Sequence, residues 1–439
     1  MEGPPFAAGL RLFRGARIVA LPAGFSVHPS CAIVAALPAP LPQAPLTPTN
    51  SEVLVPHRGH SCLSNIVVLV IAIVVCVAVL DAVAYFALGI RGSRHGDRDV
   101  IQFSPLLGHF HRPLSEGRYY PRRGREGHEV KVNSRGFTDE ERDIEKSRPR
   151  VLLIGDSTTE AWEVDPPKRP HVVLEELLGG KYEVLNCGVR AYGTDQCLIL
   201  LERIAMAFDP DIVVYTFCIN DIRDNGKDYA KPWFEIDEQD TTRLIERGYP
   251  IAKVSAGGDR TSGRLWKYSL VYRTFGLAVS KFGKRFRGAE NGGGVFPLED
   301  HYELTPYKTV YDENESARWA ITRRLVRRMR ESSNASGAEF LVVECLHLPE
   351  ISEEAAAELT APYELEAEFD FGKVTCAFQG LVDDTGLAFV SMANEVKREG
   401  LDPAELMPPG DTIHLSAEGI RLWARVVERE FRERGWLEQ

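Results

Sequence analysis

The chain has eight cysteines but no Cys-x-x-Cys pair and no Cys/His cluster at metal-ligand spacing. Zinc sites and disulfide frameworks therefore lack their signatures. Cys187, Cys218 and Cys345 fall in or beside apolar runs, where a free thiol packs as a small hydrophobe. No His-Glu-x-x-His, Walker A loop or strand-borne Gly-x-Gly-x-x-Gly is present, which removes zinc-protease, P-loop and dinucleotide-cofactor readings. The Gly-x-Ser-x-Gly elbow of α/β-hydrolases is missing too. Positive charge is scarce. The chain carries 52 basic and 63 acidic residues, a net of −11. The first ninety residues hold four Arg and three acids, which leaves 48 basic against 60 acidic in residues 91–439. So acidic a chain lacks the field that nucleic acid requires, and no nucleic-acid partner is expected. Aromatics are sparse at 9%, but 44% hydrophobic and 26% charged residues are ordinary for a globular protein with a sizeable core.

Along the chain, residues 1–63 are rich in Pro, Ala and Leu with no structural period. They read as a disordered tail, or as sequence upstream of the true start. Ile66 to Ile90 is a continuous apolar run broken only by Asp81, about 37 Å long as a helix. The reading is one transmembrane helix over 64–90, a signal anchor. One Arg before the run and three after it (Arg91, Arg94, Arg98) would put the large domain in the cytoplasm by the positive-inside rule. Residues 91–149 read as a linker and small extension, with a strand-like alternation over Glu129 to Asn133.

From Arg150 strands and helices alternate. Strands are expected at Val151–Ile154, Tyr182–Asn186, Asp211–Phe217, Glu339–Leu346 and Leu387–Met392. Helices are expected at His171–Leu178, Thr194–Phe208, Glu313–Ser332 and Ser416–Arg434. This pattern predicts an α/β fold, a parallel central sheet with helices on both faces. Residues 223–312 interrupt it and read as an insertion over the carboxyl edge of the sheet, where such folds bind ligands. The Arg-rich stretch 318–330 reads as a solvated helix face.

Four segments carry the chemistry. In VLLIGDSTTEAW, Ser157 follows a strand and a Gly–Asp turn and opens a helix. It could cap that helix, and a helix start also favours developing negative charge. In LNCGVRAYGTDQ, small residues allow backbone N–H groups close to a substrate. In TFCINDIRDN, Asn220 and Asp221 end the most β-branched strand, where an amide can face an oxyanion or close an Asx turn. In GDTIHLSAEG, Asp411 and His414 are spaced so that the carboxylate can fix the imidazole tautomer, or merely cap a turn.

Taken in this order, the four blocks resemble the SGNH (GDSL-like) hydrolase family over about residues 150–435, less the insertion. The phrases VNSRGF (132–137) and HLSAEG (414–419) resemble its membrane-anchored bacterial members. The resemblance implies a flavodoxin-like three-layer α/β/α domain, with Ser157 as nucleophile, His414 as general base and Asp411 orienting it. It implies an oxyanion hole of the Ser157 N–H, the Asn220 amide and the Ala191 N–H, with Gly188 as alternative to Ala191. Ala191 and Cys218 stand where the family has Gly. No metal or organic cofactor is implied. The expected reaction is hydrolysis of acyl esters, O-acetyl or other short-chain, on a small molecule, glycan or lipid, through an acyl-Ser intermediate. Anchored members face outward, so the domain is expected to be extracytoplasmic despite the Arg count. Two alternatives stay open: an O-acyltransferase acting on a cell-envelope glycan with the same triad, and a catalytically silent, membrane-tethered glycan-binding or scaffold protein.

Overall fold

The computed structural model describes residues 61–86, 100–119, 127–225, 230–251, 298, 301, 303–363 and 367–437. The expected N-terminal tail through residue 60 and most of the expected insertion, 252–297, lie outside the described residues.

Five strands form a parallel sheet: β1 (Arg150–Gly155), β2 (Glu183–Asn186), β3 (Ile212–Phe217), β4 (Glu339–Glu344) and β5 (Ala388–Ser391). Their spatial order is β5-β4-β3-β1-β2. The chain leaves β1 for β2 on one side and returns to pair β3 on the other. That reversal opens a crevice beyond the carboxyl ends of β1 and β3, the usual ligand position in such sheets. The sequence explains the strands: VLLI and IVVYTF are apolar throughout and buried at every position, as a sheet covered on both faces requires. Alternate residues serve opposite cores. Leu152, Ile154, Val213, Tyr215 and Val342 point into one; Val151, Leu153, Ile212, Val214 and Leu341 point into the other.

Helices after α1 (Ser61–Phe86) supply the outer layers. In chain order they include α2 (Ser157–Glu160), α3 (Pro170–Leu177), α4 (Thr194–Arg203) and α5 (Asn220–Asp224). They continue with α6 (Glu313–Ala335), α7 (Lys373–Thr385), α8 (Met392–Glu399) and α9 (Ala417–Glu433). Leu198 and Leu201 of α4, Leu325 and Met329 of α6 and Phe378 of α7 close the first core. Leu174 of α3, Val396 of α8 and Ile420 and Val427 of α9 close the second. The expected helix Thr194–Phe208 ends at Arg203 and continues as a 3-10 turn over Ala205–Phe208. The basic run on α6 does more than face solvent. Arg328 binds Glu202 of α4 through two hydrogen bonds (2.9 and 2.7 Å), and Arg318 donates to the Arg223 carbonyl at 3.1 Å.

Residues 100–131 fold as two antiparallel pairs, Ile101–Ser104 with Gly108–His111 and Glu116–Tyr119 with His128–Lys131. Val100, Val130 and Val132 pack on Trp162, which immediately follows the Ser157 turn. Of the expected insertion, Trp233–Ile236 and Leu244–Arg247 form a further hairpin. Cys187, Cys218 and Cys345 are buried free thiols, as their apolar settings implied.

The membrane anchor is corrected. The apolar run does form one helix, α1, but among the described residues no helix is long and apolar enough to cross a membrane. What rested on a crossing falls with it: the transmembrane part of the fold class, the membrane partner through 66–90, the single-pass extracytoplasmic placement and the membrane-anchored subtype.

Candidate active site

β1 delivers Ser157 into the crevice. Its last residue, Gly155, is close-packed: a Cβ there would lie 2.2 Å from Thr159 Oγ1 and 2.9 Å from the Thr216 carbonyl. The helix cap belongs to Asp156, whose Oδ1 accepts both the Thr158 N–H and the Thr158 hydroxyl at 2.8 Å. Ser157 is therefore the first helical residue, with its hydroxyl released from capping and its N–H without an intrahelical acceptor. Ala161, left-handed at φ 53°, closes the single turn.

His414 approaches from the turn before α9. Ser157 Oγ lies 3.0 Å from His414 Nε2, across 257 residues of chain. His414 Nδ1 lies 3.0 Å from both Asp411 oxygens. Asp411 Oδ1 also accepts the backbone N–H groups of Ile413 (3.1 Å) and His414 (3.0 Å), so the carboxylate builds the turn and orients the ring together. An ionised carboxylate only accepts, so Nδ1 carries the proton and a neutral ring leaves Nε2 free to accept from Ser157. Burial alone would raise the Asp411 carboxyl. The His414 ring and the two amides outweigh it and hold the carboxyl down to about 2. Burial likewise pulls the His414 imidazolium down, but Glu163, then Asp411 and Asp156, push it up to about 9.

The other expected residues are arranged less simply. Asn220 opens α5, with Nδ2 donating to Asp156 Oδ2 at 3.0 Å and to Asp224 Oδ2 at 3.3 Å. Both its donors are thus engaged close to Ser157, and Asn220 Oδ1 is buried without a partner. Burial pushes the Asp224 carboxyl up to about 6, against the lowering effect of Asn220. Asp221 is buried and accepts the Tyr215 hydroxyl at 2.5 Å. Ala191 takes a left-handed φ of 59°, a conformation that costs an alanine about 1–2 kcal/mol and marks functional loops. Gly188 has its N–H occupied by Asn186 Oδ1 at 2.9 Å. A Cβ on Gly188 would lie 2.5 Å from the Glu160 backbone nitrogen, so this glycine serves close packing.

The loop 187–193 is fastened by residues the sequence reading passed over. Glu160 is fully buried between His111 Nε2 (2.6 Å) and Arg190 Nε (2.9 Å). Burial alone would raise its carboxyl; Arg190 and then His111 outweigh that and lower it. The Arg190 guanidinium lies over Trp162 (4.1 Å) and Tyr119 (4.7 Å), and its carbonyl meets His109 Nε2 at 2.9 Å. The early hairpins thus buttress the loop that bears Ala191. Glu163 lies 3.8 Å from His414 Nε2. The sequence signal was present in GHFH and in the two acids of TTEAWE, but nothing local pairs residues about fifty positions apart. Among the described residues no group of three or more His, Cys, Asp or Glu is placed to hold a metal ion.

The GDSL-like lipase/acylhydrolase family matches residues 153–422. Among solved structures the chain is similar to a catalytic mutant of an acetylxylan esterase from Geobacillus stearothermophilus, at 15% identity over 68% of this chain and 100% of that one, TM-score 0.36. It is also similar to TesA, at 13% identity over 66% and 99%, TM-score 0.34. A third is a carbohydrate acetylesterase family member from Sinorhizobium meliloti, at 16% identity over 65% and 98%, TM-score 0.30. No curated protein matched in sequence. The family match spans more than half of the sequence and includes every block of the site. The chain belongs to the GDSL-like lipase/acylhydrolase family and is a hydrolase acting on ester bonds.

Proposed function

We propose that the protein cleaves acyl esters through an acyl-Ser157 intermediate, with Ser157, His414 and Asp411 as the triad. The observation that carries this reading is the continuous contact from Ser157 Oγ to His414 Nε2 to Asp411, each step 3.0 Å. As Oγ attacks the acyl carbon, its proton passes to Nε2 and the carbonyl oxygen becomes an oxyanion. His414 then gives that proton to the departing alkoxide, the ester C–O bond breaks, and the acyl group stays on Ser157. Water then attacks the acyl carbon as His414 takes its proton; the acyl–Oγ bond breaks, His414 returns the proton to Oγ, and the carboxylic acid leaves. O-acetyl and other short-chain esters, on a small molecule, glycan or lipid, are the substrates of this reading.

A fluorophosphonate probe tests it directly. Wild-type protein is expected to label, while Ser157→Ala does not label at all and His414→Ala labels far more slowly. A folded wild type that neither labels nor cleaves a short-chain aryl ester would overturn the triad.

The oxyanion donors of this reading are the N–H groups of Ser157 and Ala191 and one N–H of Asn220, released from Asp224. Asn220→Ala is expected to lower kcat about 10²–10³-fold with KM little changed, because such a donor acts mainly in the transition state. A loss confined to thermal stability would leave Asn220 as a helix-start residue only.

A further inference from the structure

Both carboxylate oxygens of Glu163 are buried without a hydrogen bond, although the side chain is only 5% exposed. A buried carboxylate without a hydrogen bond is costly and leans on the charges around it. Its nearest cation is Arg190, whose Nη2 is 3.7 Å away, but that guanidinium is already bonded to Glu160 and stacked on Trp162. The other nitrogen facing Glu163 Oε1 is His414 Nε2, at 3.8 Å, the same atom that meets Ser157. A neutral His414 turns a lone pair towards that carboxylate. An imidazolium turns an N–H towards it, and so suits the site better.

We infer that Glu163 is a positioning residue for the imidazole, a second carboxylate that holds His414 as imidazolium in the resting site and so sets the pH above which Ser157 can be activated. This rests on the reading of His414 as general base. The groups that face the ring are Asp411 from its own turn, Asp156 and Ser157 from the β1–α2 turn, and Glu163 from the segment after α2. All the charged ones are acids, and together they outweigh the burial that opposes protonation. Asp411 sits on Nδ1 and is needed for the tautomer. Glu163 sits on the Nε2 side, where a negative charge favours the proton that catalysis must first remove. With the ring held up to about 9, only a small minority of the free enzyme holds a neutral base at pH 7.

The test is a proton-carbon NMR titration of His414 beside the pH profile of kcat/KM on a short-chain aryl ester, for wild type, Glu163→Gln and Glu163→Asp. An opposite charge at this range is worth roughly 1–3 pH units. The His414 midpoint of Glu163→Gln is expected to fall by that amount from about 9, and its acid limb with it, so that activity at pH 7 rises about tenfold or more. Glu163→Asp keeps the charge and is expected to keep the midpoint within about one unit of wild type. A wild-type midpoint at or below 6.5, or a midpoint unmoved in Glu163→Gln, overturns the inference; the first needs no variant to fold. If the midpoint moves but Ser157 never labels, the electrostatic assignment stands and the esterase reading fails.

Discussion

Asp411→Asn is expected to lower kcat about 10⁴-fold while leaving the protein folded, the size of effect seen when a triad imidazole is held in the wrong tautomer. The reason lies in what each side chain offers Nδ1. Asp411, with its carboxyl held down to about 2, is an acceptor at any working pH and keeps the proton on Nδ1. An asparagine amide can donate to Nδ1 instead, which favours the ring with its proton on Nε2. That ring cannot accept from Ser157 Oγ, 3.0 Å away. The asparagine oxygen can still accept from the Ile413 and His414 amides, so the turn before α9 should persist. Circular dichroism and the melting temperature check the fold, and steady-state kinetics give kcat. A loss of tenfold or less would mean that Asp411 is chiefly a turn cap.

Arg190→Met is expected to destabilise the domain by about 3–5 kcal/mol, the cost of breaking a buried ion pair from one side. Glu160, fully buried, would keep His111 and the backbone N–H of residue 190 (3.3 Å) but no fixed cation beside it, and Glu163 would lose the guanidinium at 3.7 Å. Methionine fills much of the space over Trp162 but supplies no charge. Removing the carboxylate as well should relieve part of the loss, so Glu160→Gln combined with Arg190→Met should be less damaging than the sum of the two changes. Urea unfolding of the single and double variants measures both quantities. Arg190→Met within about 1 kcal/mol of wild type would show that the cluster contributes little. The same substitution loosens the loop 187–193, because the Arg190 carbonyl is held by His109 and its side chain by Glu160. On the proposed reading, stability and oxyanion geometry are coupled through one residue.

Much of this was legible in the sequence, and for local reasons. VLLI and IVVYTF are apolar without interruption, which only a doubly covered strand tolerates over so few residues. Asp411 and His414 share one turn, so their contact follows from spacing. Ser157 and Asn220 each end a strand, and strand ends of a parallel sheet converge on one edge. Hydropathy alone misled at Ile66–Ile90: among the described residues no helix is long and apolar enough to cross a membrane. Within residues 91–149, read as a linker and small extension, the sequence singled out one strand-like stretch over 129–133, because short strands with charged faces carry little signal.

The amino-acid sequence by itself determined the parallel sheet, the Gly–Asp–Ser turn after its first strand and the Asp–His turn, since each depends on residues within a few positions of one another. Only the tertiary structure decided that Ser157 meets His414, that His111 and Arg190 enclose Glu160, and that Glu163 stands beside the imidazole. Those contacts join segments far apart in the chain. Their strength comes from burial, which removes the water that would otherwise screen each charge, and burial is a property of the packed molecule.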